Sequence, residues 1–269
     1  MAGVYDHIMW TVPHSAWLSR IERDLRDRRK RPRSVFDIAC GTGLGTEILF
    51  SRGYSPVYGA DLSPEMISVA RNKANTAGSA ITYFVQNAEV TSLPDGLTVD
   101  LVTCLFDALN YVTTLDGLYR VFTSVAQTLN VGGVFAFDLN APYALRQGLF
   151  NQEDAIGNIR HVWKATWDEE TRLCTVNMDF WRTHPDGSED VFSEQHVQRA
   201  HTKDEVRDGL RNAGFHEILF WGNYADKAPN SKSDRWLVTA VLKEKAKNRQ
   251  GNTCKTISSP CTTDKNITP

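Results

Sequence analysis

No stretch of this 269-residue chain reaches the roughly 18 consecutive apolar residues that a membrane-spanning helix needs. Asp6 and His7 interrupt the short apolar start, so the N-terminus also lacks the pattern of a signal peptide, and a cytoplasmic protein without a membrane anchor is expected. Charge of one sign is missing too. With a formal net charge of -2, no global field draws the chain toward nucleic acid, and a small-molecule substrate is the expected partner. The five cysteines, at positions 40, 104, 174, 254 and 261, show no paired metal-ligand spacing, so no metal is expected. Cys40, Cys104 and Cys174 fall in strands or a strand-turn junction and read as buried thiols. What the chain does have is 41% hydrophobic residues, enough for one large α/β domain plus an insertion.

Apolar residues Trp17, Leu18, Ile21 and Leu25 recur at helical spacing, which predicts an N-terminal helix over Ala16 to Arg28. The basic run Arg28 to Arg33 contains Pro32, which breaks that helix, and reads as a solvated helix end. From there strands and helices alternate. Strands are predicted at Ser34 to Ala39, Val57 to Ala60, Ile81 to Gln86, Asp100 to Leu105 and Val134 to Asp138, and helices at Leu44 to Arg52, Pro64 to Ala77 and Leu115 to Leu129. Ser63 and Pro64 mark the start of the second of these helices as cap and first turn. Strand-helix units of this length require crossovers, and hence a mostly parallel, doubly wound sheet with helices on both faces.

After Asp138 the rhythm changes. Three strand-like segments, Asn158 to Trp167, Leu173 to Arg182 and Val191 to Ala200, are separated by turn-rich stretches and predict a small antiparallel insertion over about residues 150–200. A helix at Lys203 to Ala213 and two strands, Phe215 to Trp221 and Trp236 to Leu242, complete the sheet with an antiparallel edge. The expected organisation is an N-terminal helical cap at 1–33, a main domain at 34–243 and a disordered tail at 244–269.

The chemistry-bearing stretch is Val35-Phe36-Asp37-Ile38-Ala39-Cys40-Gly41-Thr42-Gly43-Leu44-Gly45, followed by Val57-Tyr58-Gly59-Ala60-Asp61. Glycines let backbone pass close beside a ligand, and an acid ending the second strand can accept hydrogen bonds from both ribose hydroxyls. These features point to a nucleoside cofactor. The third-glycine spacing of the dinucleotide fingerprint is absent. Asp37, four residues before Gly41, suits a cationic ligand better than a pyrophosphate, and a sulfonium with an ammonium has that polarity.

These residues, with Asp61-Leu62-Ser63-Pro64-Glu65-Met66, Gln86-Asn87-Ala88-Glu89, Val99 to Phe106 and Leu129 to Phe135, resemble the class I S-adenosylmethionine-dependent methyltransferases, in the right order along the chain. The resemblance implies a Rossmann-like α/β fold and S-adenosyl-L-methionine as cofactor. It further implies Gly41 and Gly43 beside the methionine part, Asp61 on the ribose, Leu62 and Met66 against the adenine, and Asn87 and Ala88 at the adenine edge. The Leu105 carbonyl would meet the cofactor ammonium. A looser likeness, in the insertion and in Tyr5-Asp6-His7-Ile8-Met9, is to glycine and amino-sugar N-methyltransferases, and implies that Tyr5 covers the cofactor.

Methyl transfer from a sulfonium is an in-line displacement, so the protein's main task is to align the acceptor and exclude water. An amine must be neutral and a hydroxyl must lose its proton. Candidate groups for that step are Asp107, just past the fourth strand, and His196, whose imidazole titrates near neutrality. Asn110, Tyr111, Asp138, Asn140 and His201 lie in the same segments, and the aromatic residues of the insertion, Trp163 and Trp167 among them, are expected to share a face over the cofactor. The expected reaction is methyl transfer to a small-molecule amine or hydroxyl. The alternatives are an NAD-dependent oxidoreductase, with Asp61 on its ribose, and a non-catalytic cofactor-binding protein.

Overall fold

The computed structural model describes residues 5–7, 9 and 12–245. Helix α1 (His14–Asp27) precedes an alternation of β1 (Val35–Ile38), α2 (Leu44–Ser51), β2 (Val57–Asp61), α3 (Pro64–Ala77), β3 (Ile81–Val85), β4 (Val99–Cys104), α4 (Leu115–Thr128) and β5 (Leu129–Asn140). A short α5 (Pro142–Arg146) then leads to β6 (Gln152–Ile156), β7 (Ile159–Asp168), β8 (Leu173–Thr183) and β9 (Glu189–Arg199). The chain returns to the main sheet through α6 (Lys203–Asn212), β10 (Phe215–Gly222) and β11 (Arg235–Leu242).

Local chemistry sets several of these boundaries. The Ser63 hydroxyl accepts from the Met66 amide, Pro64 occupies the first turn, and Gly78 ends α3 at φ 67°. Thr202 and Glu205 form a reciprocal capping box at the start of α6.

The main sheet has seven strands in the order β10-β11-β5-β4-β1-β2-β3, parallel except where β11 pairs with β5 and β10. One face packs Phe36, Phe135 and Phe137 against Phe122 and Leu118 of α4 and Val206 and Leu210 of α6. The other packs Val35, Leu101 and Val134 against Leu18, Ile21 and Leu25 of α1 and Leu49 of α2. Both faces are covered, as crossover connections require. Because β1 pairs with both β2 and β4, the crossovers diverge there, and a crevice opens beyond the strands' carboxyl ends.

Three expectations need correction. The second sheet has four strands in the order β6-β7-β8-β9, not three; β6 reads Gln-Glu-Asp-Ala-Ile and is almost wholly exposed, so it carries no alternating apolar pattern. Strand β5 begins at Leu129, ahead of Gly132-Gly133, and Gly132 is absorbed at φ 84° where the register with β4 shifts. The basic run is solvated only in part: Arg29, Arg31 and Arg33 are exposed, but Arg28 donates to Thr239 and pairs with Asp24, while the Lys30 ammonium donates to the Gly132 carbonyl. Those contacts tie the end of α1 to the sheet.

Cys104 and Cys174 are buried free thiols and Cys40 is half-buried. Cys254, Cys261 and all but the first two residues of the expected tail lie outside the described residues. Among the described residues no helix is long and apolar enough to cross a membrane, and no group of three or more His, Cys, Asp or Glu is placed to hold a metal.

Candidate functional site

The crevice at the carboxyl ends of β1, β2 and β4 is a cavity of about 1460 Å³, roofed by the four-stranded sheet and by the N-terminal segment. Its first half is built largely of backbone. The Cys40 amide donates to the Ala60 carbonyl, which carries the β1 end across to β2. Asp61, at the tip of β2, accepts from the Gly41 amide at 2.8 Å and from the Ser63 amide at 2.9 Å. One carboxylate therefore braces both loops, and each of its oxygens keeps a lone pair for a ligand hydroxyl. At Gly41, φ is 55° and an added Cβ would meet only the Tyr5 ring, at 3.8 Å. The loop leaves a cradle there that a side chain would fill.

Gly43 serves a different purpose from the one expected. It does not line the cavity, and an added Cβ would lie 2.5 Å from the Tyr83 hydroxyl, so the glycine permits close packing of the loop on β3. Asp37 is buried at the cavity floor, with one oxygen accepting from Thr103 at 2.6 Å and the other from Thr46 at 2.7 Å. Burial pushes its carboxyl up to about 6 against those two hydrogen bonds, with the Asp61 charge adding to the rise. Asp37 thus braces the floor through hydroxyls.

Leu62 and Met66 line the far end, and Leu62 is 67% exposed, an apolar side chain at the rim with no core to enter. Asn87 and Ala88 lie beside them; the Asn87 side-chain oxygen accepts from the Glu89 amide at 2.9 Å, capping a short turn. Leu105 lines the middle. Tyr5 stands over Gly41, and Asp6 beside it accepts from the Thr42 hydroxyl and from Lys73, the latter at 2.7 Å. His7 reaches the Ile156 carbonyl at 3.0 Å, so the N-terminal segment bridges the glycine loop and the four-stranded sheet.

The second half of the cavity is built of side chains. Asp107 is buried at φ 51°, with Arg235 2.8 Å from one carboxylate oxygen and the Gln198 amide 2.7 Å from the other. It holds no turn through its side chain. Arg235 also pairs with the fully buried Asp138, and its guanidinium lies over the Trp17 and Phe106 rings at 5.3 and 5.5 Å. Burial raises the Asp107 carboxyl above its ordinary value, with Arg235 opposing.

His196 faces the cavity rather than open solvent. Its Nδ1 is 2.7 Å from the Tyr111 hydroxyl and its Nε2 3.0 Å from Glu194. Asn110 and Asn140 belong to the supporting network: Asn110 donates to the Asn140 and Arg199 carbonyls, and Asn140 to Gln198. His201 is buried among protein groups, and burial lowers its imidazole to about 4.

Of the insertion's aromatic residues Trp163 lines the cavity, as does Phe150 at its start. Trp167 shares its face but lies beyond the edge, donating to Glu169 at 2.7 Å, and Trp181 stacks under Arg160 at 3.7 Å. Among the lining residues that the sequence reading did not assign to the site are His14, Glu194, Gln198 and Arg235. For two of them a signal existed, since Glu194, His196 and Gln198 recur every second residue along one strand and so share a face. Arg235 opens an apolar strand 128 residues from Asp107, and nothing local marks it.

Fold and site together define an α/β protein with a large cavity at the switch point of its sheet. A family described as a methyltransferase domain matches residues 35–133. Over 238 residues the chain is 28% identical to YqeM of Bacillus subtilis, covering 87% of this chain and 92% of that one. It is 27% identical to the dTDP-4-amino-2,3,4,6-tetradeoxy-D-glucose N,N-dimethyltransferase of Saccharopolyspora spinosa, over 86% of this chain and 89% of the other. A crystal structure of an S-adenosylmethionine-dependent methyltransferase from Clostridium acetobutylicum superposes with a TM-score of 0.79 at 26% identity, covering 90% and 98% of the two chains. The chain is an S-adenosylmethionine-dependent methyltransferase similar to those of class I, and S-adenosylmethionine is its cofactor.

Proposed function

We propose that this enzyme methylates an amine on a small molecule. The observation that carries this reading is the charge of the cavity's side-chain half, where the carboxylates of Asp107 and Glu194 outnumber the one guanidinium, Arg235. A protonated amine is drawn to such a wall, and an anionic acceptor is repelled by it. Met178, Val176 and Trp163 supply apolar surface for the rest of the molecule. The N,N-dimethyltransferase of Saccharopolyspora spinosa is named for an amino sugar, which supports the same class. A hydroxyl acceptor is the second reading, favoured by the contact between Tyr111, His196 and Glu194, through which a proton can pass.

In this reading Asp61 holds the ribose hydroxyls of the cofactor. Gly41 leaves room for its amino-acid part, with Asp37 supporting the floor, while Gly43 keeps the loop in place from behind. Leu62 and Met66 flank the adenine, Asn87 and Ala88 meet its edge, Leu105 offers its carbonyl, and Tyr5 closes the top. The bound cofactor supplies a methyl already activated by the sulfonium charge. Asp107 and His196 act at the acceptor end, Asp107 by locking Arg235 and Gln198 into the wall and His196 by holding Tyr111 and Glu194 at the opening. Incubation with methyl-labelled cofactor and a metabolite extract, followed by mass spectrometry, tests the proposal: label on nitrogen is expected, and label only on oxygen or carboxylate products overturns it.

A further inference from the structure

We propose that His14 is the proton acceptor at this site, taking a proton from the incoming ammonium; the inference rests on the amine reading above. His14 opens helix α1 and lines the cavity. Its Nδ1 lies 3.1 Å from the Val12 carbonyl oxygen. A carbonyl can only accept, so in the neutral ring Nδ1 carries the hydrogen and Nε2 keeps the lone pair. No hydrogen bond to a described residue occupies Nε2.

The other groups at this end are already engaged. Both ring nitrogens of His196 have partners, Tyr111 and Glu194. Both oxygens of Asp107 are held, by Arg235 and Gln198. His201 is buried, with Nε2 3.2 Å from the Leu109 carbonyl and Nδ1 2.8 Å from Arg199. The His14 ring is also fixed in place. It stacks on Phe106 at 6.2 Å and tilts against Trp17 at 5.9 Å, and Phe106 lies between Leu105 and Asp107 in the chain. His14, the Phe106 ring it stacks on and the adjoining Asp107 all line the cavity.

The charged neighbours come from several elements: Asp6 from the N-terminal segment, Lys73 from α3, Asp138 from β5 and, across the Trp17 and Phe106 rings, Arg235 from β11. Burial lowers the His14 imidazole from 6.5, against the Val12 carbonyl, Asp138 and Asp6 and with Lys73, so the ring is neutral at pH 7 and ready to accept. In the step, the ammonium N–H bond breaks and its proton goes to Nε2. The freed nitrogen lone pair forms the new N–C bond as the S–C bond breaks, its electron pair remaining on sulfur. The imidazolium then releases its proton to solvent.

Histidine-labelled nitrogen NMR of the protein with S-adenosylhomocysteine should show His14 as the Nδ1-protonated tautomer, with a midpoint below 6.5. With thymidine-diphosphate 4-amino-4,6-dideoxyglucose as acceptor, H14Q should lose about 100-fold or more in kcat/KM. The acidic limb of the pH profile should vanish with it. Cofactor affinity by calorimetry should match the parent. H14N, whose amide nitrogen stands where Nδ1 stood and can donate to the Val12 carbonyl, should keep the parent's melting temperature and fall as far in kcat/KM. An Nε2-protonated ring, or H14Q turnover within about threefold of the parent with its acidic limb intact, overturns the assignment to His14 alone. Absence of methyl transfer to this amine or to glucosamine, with transfer found on a non-nitrogen acceptor, overturns the amine reading and His14 with it.

Discussion

In the seven-stranded sheet β4, β5 and β11 are buried almost residue for residue, whereas β7 and β8 of the four-stranded sheet alternate between buried and exposed positions. The difference follows from what covers them. Helices pack on both faces of the large sheet, so its side chains are committed to the core and the site there is made by backbone at the strand ends. The small sheet turns one face to the cavity and the other to solvent, so every second side chain is available for chemistry. The half of the cavity proposed to hold the cofactor is therefore a property of chain path, and the half proposed to hold the acceptor a property of side-chain choice.

Arg235 is the exception that tests this contrast most severely, a charged side chain reaching from the buried last strand of the large sheet into the acceptor wall. Replacing it with Met leaves Asp107 and Asp138 buried without a counter-charge, and a loss of about 3–5 kcal/mol is expected. Denaturant unfolding measures it, and a loss below about 1 kcal/mol would mean the pair is solvated. Asp61→Ala strikes the backbone-built half. Losing a carboxylate that braces two loops should weaken S-adenosylhomocysteine binding about 100-fold, or about 3 kcal/mol, by calorimetry. Unchanged affinity would remove Asp61 from the site.

Asp37 sharpens the contrast through pH. Its folded carboxyl titrates at about 6 against an ordinary 3.8, so the folded state holds the proton more tightly than the unfolded chain. The stability this provides is complete below 3.8 and is lost as pH rises through 6. Relative to Asp37→Asn, the parent should lose on the order of 2 kcal/mol between pH 4 and 7. Parallel stability curves for the two proteins would contradict that assignment.

On the small sheet, His196→Ala should lower kcat/KM about tenfold, equivalent to about 1.4 kcal/mol, with cofactor affinity unchanged. A change confined to cofactor binding would place His196 in the wrong half. The smallest effect is expected from Arg182→Ala, whose exposed pairing with Asp190 lies on the strands' far reach; thermal unfolding should register under about 0.5 kcal/mol. A larger loss would show that this edge is not the solvated rim its alternation implies.

The backbone-built half was legible in the sequence because its parts are contiguous: a strand, its glycine turn and the acid of the next strand fall within 27 residues of Val35. Asp107 and His196 were found by position along the strands, but their partners were not, since Arg235 and Gln198 reach Asp107 from 128 and 91 residues away. Gly43 was misread for a related reason. A glycine in a ligand loop signals close approach, but what approaches this one is Tyr83 from a neighbouring strand.

The sequence by itself determined the order of strands and helices in the main sheet, the cofactor class and the place where the loops must converge, because periodicity, capping residues and turn glycines act over a few residues. Only the tertiary structure decided which carboxylates are tied down and which imidazole keeps an open lone pair. Those outcomes depend on hydrogen bonds and desolvation between groups from opposite ends of the chain, and no local pattern encodes them.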